Sequence, residues 1–104
     1  MTIQINTDKN ISGNEKLESY LNSLIEDEFS RFSEDITRVE VHLSDANGSK
    51  SGQDDKQCMF EIRLKNRQPI AVSSNGKTVE ESVNDAIDKA KNSMDTIFGR
   101  LKKH

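Results

Sequence analysis

The chain has 104 residues, the length of one domain with one modest core. Its formal charge of −3 is uneven: residues 1–49 hold 4 bases against 10 acids and residues 50–104 hold 11 against 8, so any nucleic-acid surface is expected mainly in the second half. The single cysteine, Cys58, excludes an internal disulfide and points to a reducing, cytoplasmic setting. No apolar run nears the ~20 residues of a membrane span, and MTIQINTDKN lacks a signal pattern.

Residues Thr2 to Thr7 alternate, with Ile3 and Ile5 on one side and Gln4 and Asn6 on the other, which predicts a short half-buried strand. A helix is expected over Ser12 to Phe32. Ser12 and Glu15 have the spacing of a capping box, and Leu17, Tyr20, Leu21, Leu24, Ile25, Phe29 and Phe32 form an apolar stripe. Its other face is acidic. Ile36 to Ser44 alternates again, with Val39, Val41 and Leu43 inward and Arg38, Glu40 and His42 outward, as in a sheet covered on one face and wet on the other.

Asp45 to Gln57 is polar and reads as a long loop, of a length that is often functional or mobile. Cys58 to Lys65 alternates with Cys58, Phe60, Ile62 and Leu64 inward. Asn66 to Gln68 makes a turn, and Pro69 opens a shorter strand, Ile70 to Ser74. The last quarter, Thr78 to His104, is a second amphipathic helix. Val79, Val83, Ala86, Ile87, Ala90, Met94, Ile97 and Leu101 recur every three or four residues, and Thr78 with Glu81 repeats the capping-box spacing. Acids fill its first half and bases its second, which suits the helix macrodipole.

The order strand, helix, three strands, helix predicts one α+β domain over residues 1–104. It is a four-stranded, mainly antiparallel sheet with two helices on one face. The first strand pairs with an edge of the meander that the sequence leaves open. Oligomeric state is also open, although an exposed edge beside the short last strand could pair with another chain.

Little here is suited to catalysis. His42 stands among charges on a wet strand face, Cys58 begins an inward-facing series with no base beside it, and the loop acids Asp45, Asp54 and Asp55 lack the closing Glu of a calcium loop. No phosphate-cradling glycine loop is present. No enzyme activity, cofactor, metal or small-molecule substrate is therefore expected. The remaining signal is basic: Arg63, Lys65 and Arg67 at the end of the third strand, then Lys77, Lys89, Lys91, Arg100, Lys102 and Lys103 on or beside the last helix.

The element order, Phe29-Ser-Arg-Phe32 followed by Ile36-Thr-Arg-Val-Glu-Val41, and Ala86-Ile-Asp-Lys89 together resemble the hibernation-promoting factor / ribosome-associated inhibitor family of bacteria. Val39 to Gly48, with Asp54-Asp-Lys56 and Cys58, is similar to a divergent branch of short members. The resemblance spans essentially the whole chain. It implies a stress factor that binds small-subunit rRNA near the decoding region and blocks translation by occlusion. Basic side chains of both helices would make the contacts.

On that reading Arg31 and Lys89 match basic family positions, and the expected rRNA contacts are Arg31, Lys89, Lys91, Arg100, Lys102 and Lys103. The chain departs from the family at Ile25, Glu28, Asn92 and Thr96, where bases are expected, and at Glu80, where an aromatic often stands. The second, dimerising domain of long members is not expected after His104. The alternative is a protein-interaction module of the same fold that has lost ribosome binding, with the acidic face of the first helix and the 45–57 loop as its working surface.

Overall fold

The structure is a computed structural model, and it describes residues 1–8, 11, 15–45 and 56–99. The expected element order is present. Strands β1 (Thr2–Thr7), β2 (Ile36–Asp45), β3 (Lys56–Leu64) and β4 (Ile70–Gly76) form one sheet in sequence order, with helices α1 (Glu15–Glu28) and α2 (Val79–Ile97). The β2–β3 and β3–β4 pairs are antiparallel, whereas β1 runs parallel to β2, with Thr2 opposite Arg38 and Thr7 opposite Leu43. The sheet is thus mixed, and β2 is the edge of the meander that β1 chose. A parallel pair needs a crossover, and α1 supplies it.

The alternation read from the sequence sets the two faces. Val39, Val41, Leu43, Cys58, Phe60, Ile62 and Leu64 are buried on the inner face. Leu21 and Ile25 of α1 and Val83, Ala86, Ile87, Ala90 and Met94 of α2 close the core over them. Phe29 meets Phe60 edge-on at 5.8 Å between ring centres. Each fully buried side chain of this size stabilises the fold by about 1.5–3 kcal/mol. Tyr20, expected in the α1 stripe, is instead 46% exposed. It lies at the margin of the stripe, where its amphipathic ring can keep its hydroxyl in water.

The first helix is shorter than its periodicity suggested. It ends at Glu28 and gives way to a 3-10 turn, Ser30–Phe32. Residues three apart eclipse in that geometry, so Phe29 and Phe32 can both point into the core. Ser12, its expected cap, lies outside the described residues, as do residues 46–55 of the expected loop. Strands β2 and β3 extend to a closing pair in which Lys56 meets Asp45 at 3.4 Å.

The cap of α2 is as the spacing required on one side and shifted on the other. The Glu81 N–H donates to Thr78 Oγ1 at 3.0 Å, while Glu81 Oε1 accepts from the N–H of Lys77 rather than of Thr78, at 2.7 Å. Gly76 makes this entry possible: a Cβ there would stand 2.8 Å from the Ser82 nitrogen. The helix ends at Ile97, short of the expected His104, and Arg100 to His104 lie outside the described residues. No described helix is long and apolar enough to cross a membrane.

Candidate nucleic-acid interface

Two of the bases expected to touch rRNA, Arg31 and Lys91, sit where α1 and its 3-10 turn come beside α2. Arg31, on the 3-10 turn, reaches Asp95 of α2 with both terminal nitrogens, Nη1 to Oδ1 at 2.8 Å and Nη2 to Oδ2 at 3.1 Å. The hydrogen-bonded Asp95 carboxylate raises the Arg31 pKa above its already high ordinary value. Lys91 donates to Glu28 Oε1 at 2.8 Å. Lys89 turns the other way and donates to the backbone carbonyl of Ser73 on β4 at 2.8 Å. The three do not converge on one point. Each is partnered inside the chain, while Arg100, Lys102 and Lys103 lie outside the described residues.

These pairings leave phosphate-binding capacity. A guanidinium carries five N–H donors; Arg31 donates one to Asp95 Oδ2, holds Nη1 beside Oδ1 as an ion pair, and keeps its side chain 51% exposed. The Arg31 guanidinium also lies 4.3 Å from the Phe32 ring centre. Because Arg31 is half exposed, its pair with Asp95 contributes no more than about 1 kcal/mol, so a phosphate can compete with it.

A second basic group emerges only in three dimensions. The N–H of Lys65, just past β3, donates to the carbonyl of Asp35 at 2.9 Å, which brings the β3–β4 turn beside the 3-10 turn. Asn66 makes that turn with a positive φ of 58°, which Asn tolerates better than most residues. Phe32 and Phe98 stack at 6.2 Å, and the Arg67 guanidinium covers Phe98 at 4.9 Å. Arg31 and Arg67 therefore flank one stacked aromatic pair at the end of the molecule where α2 finishes. Past Gly99 the sequence continues into Arg100, Lys102 and Lys103.

Sequence reasoning noticed Arg67 as a base but did not place it with Arg31. The two are brought together by Phe32 and Phe98, whose contact joins residues far apart in the chain. The 32/98 aromatic pair, each ring followed or preceded by bases, was the available signal.

The expected family departures also acquire a physical meaning. Ile25 is fully buried, so a base at that position would lie in the core and could not face RNA. Glu28 neutralises Lys91, whereas Asn92 and Thr96 are exposed, with the Thr96 hydroxyl donating to the Asn92 carbonyl.

The family described as sigma 54 modulation protein / S30EA ribosomal protein matches residues 3–102. The chain belongs to this family. The hibernation-factor resemblance of the sequence pointed to the same grouping. Among solved structures, the fold is similar to the Protein Y N-terminal domain of Thermus thermophilus, with a TM-score of 0.75 and 13% identity, over 93% of this chain and 99% of that one. It is also similar to a ribosomal subunit interface protein from Coxiella burnetii, with a TM-score of 0.70 and 13% identity, over 95% of this chain and 99% of that one. No curated protein matches the chain by sequence.

Proposed function

We propose that this family member is a cytoplasmic ribosome-associated factor whose residues 1–104 form one domain. It binds small-subunit rRNA near the decoding region and inhibits translation by occupying that site during stress or stationary phase, without catalysing a reaction. The observation that carries the reading is the family match across residues 3–102. It is supported by the subunit-interface protein of the same fold and by the guanidinium-flanked end described above. On this reading Arg31 and Arg67 offer charge and a planar stacking surface to RNA, and Arg100, Lys102 and Lys103 add phosphate contacts. Lys89 and Lys91 contribute at the margin.

One observation favours a second reading. Arg31, Lys89 and Lys91 each meet an acceptor within the chain, and the acceptor of Lys91 is the carboxylate of Glu28. A member tuned this way would serve as a protein-interaction module, with the exposed α1 residues Glu15, Glu18, Glu26 and Asp27 as its contact surface.

Sedimentation of stationary-phase lysate in low and moderate salt separates the two. Ribosome association places the protein in the small-subunit and monosome fractions at low salt, and Arg31→Glu with Arg67→Glu releases it. Lys89→Glu with Arg100→Glu tests the α2 side in the same gradients. Absence from those fractions in both salts ends the ribosome reading.

A further inference from the structure

The outer face of the sheet, turned away from both helices, holds a group that the ribosome reading does not use. Glu40 and His42 are two apart on β2 and so share a face. Glu61 of β3 stands directly opposite Glu40, which also puts it diagonally next to His42. His42 Nε2 lies 3.6 Å from Glu40 Oε1 and 3.7 Å from Glu61 Oε1. Both distances exceed a hydrogen bond, and Nε2 is shielded from solvent with no hydrogen-bond partner. One ligand atom from each of the three residues lies within 4.8 Å of the others.

Two carboxylates directly across a strand pair repel each other, and a cation between them would relieve that. Arg38 does so only in part. Its Nε donates to Glu40 Oε2 at 2.7 Å and its other end to Gln4 Oε1, so Oε1 of Glu40 is left turned toward His42. Arg38 thus fixes the Glu40 carboxylate as outer partners of metal ligands do, while its positive charge sets a limit on affinity.

We propose that Glu40, His42 and Glu61 form a binding site for a divalent transition-metal ion, zinc foremost, on the outer face of the β2–β3 ribbon. Zinc bonds imidazole nitrogen and carboxylate oxygen at about 2.0–2.2 Å, so two ligands at a tetrahedral angle stand about 3.4 Å apart. The 3.6 and 3.7 Å separations of His42 from the two carboxylates need a closure of only a few tenths of an ångström, and side-chain rotation brings the two carboxylate oxygens, within 4.8 Å of each other, the rest of the way. His42 binds as the neutral ring with its proton on Nδ1. One imidazole with two carboxylates suits zinc, cobalt or nickel better than magnesium or calcium, which take oxygen alone. All three side chains are partly exposed, so the ion enters from solvent and keeps water in its remaining position.

The test is calorimetric titration of the chelator-stripped full chain with zinc chloride at pH 7.5. Imidazole nitrogen resonances are followed by NMR in parallel. The expected result is one zinc per chain, with the His42 Nε2 resonance shifted. His42→Gln and Glu61→Gln should each weaken binding about tenfold or more, as even outer-shell losses cost 10–100-fold. His104→Ala should leave it unchanged, and millimolar magnesium should not compete. Circular dichroism confirms that the variants fold. No zinc uptake, uptake undiminished in His42→Gln, uptake lost in His104→Ala, or equal displacement by magnesium would each overturn the site. Ribosome binding plays no part in these readouts.

Discussion

Asp95→Asn separates an Arg31 that serves RNA from one that only ties the 3-10 turn to α2. The variant keeps the shape of Asp95 and removes its charge from the guanidinium it contacts at 2.8 and 3.1 Å. A phosphate on the outer edge of Arg31 would stand about 6 Å from that carboxylate. Two unit charges at this distance in water repel by about 0.7 kcal/mol, which is roughly threefold in affinity. At 0.15 M salt the Debye length of about 8 Å cuts the effect to about half. Labelled Asp95→Asn protein should therefore bind purified small subunits about threefold more tightly than the parent at low salt, and less than twofold at 0.15 M. The fold should lose no more than about 1 kcal/mol, because the pair is exposed on the Arg31 side. Arg31→Gln should act in the opposite sense, weakening binding and flattening the slope of log K against log salt by about 0.7–0.9. Equal or weaker binding of Asp95→Asn at low salt, with the fold intact, would refute the placement of phosphate at Arg31.

Other expectations concern the fold. Thr78→Ala removes the oxygen that accepts from Glu81 N–H and should cost about 1 kcal/mol in urea unfolding, with an unchanged m-value. Phe29→Ala empties the site against Phe60 and should cost about 3–5 kcal/mol, a large share of the 5–15 kcal/mol typical of a domain. Burial pushes the Cys58 thiol up to about 12 from 9.0, so native protein should resist iodoacetamide at pH 8 and react only on unfolding. Because the folded-state value is raised, the contribution of Cys58 is whole below pH 9 and is lost as pH climbs toward 12. Urea titrations at pH 8 and 10.5 should differ by about 2 kcal/mol more in the parent than in Cys58→Ala.

The strand faces were legible because a period of two leaves no ambiguity once one face is apolar. Val39, Val41, Leu43, Phe60 and Ile62 all point inward as the alternation required. The α2 stripe was equally plain, and its cap could be read from Thr78 and Glu81. Helix ends were less so, since the same i, i+3 spacing of Phe29 and Phe32 fits an α-helix and a 3-10 turn. The side chosen by β1 was not legible at all, because no local residue records a pairing between residues 2 and 38. Site residues were visible as types but not as neighbours. Nothing near Arg31 announces Asp95, nothing near Arg67 announces Phe98, and His42 looked merely solvated until Glu61 was placed diagonally beside it.

The parallel pairing of β1 with β2 also sets an order of assembly. The β2–β3 and β3–β4 ribbons need only nearby chain, and α2 follows β4 directly, so these contacts form with little loop entropy lost. Strand β1 must wait for α1 to span the distance between Thr7 and Ile36. It should therefore be the last strand to join and the first to leave. In native-state hydrogen exchange, the amides of β1 should open at lower free energy than those of β3, which has a partner strand on both sides.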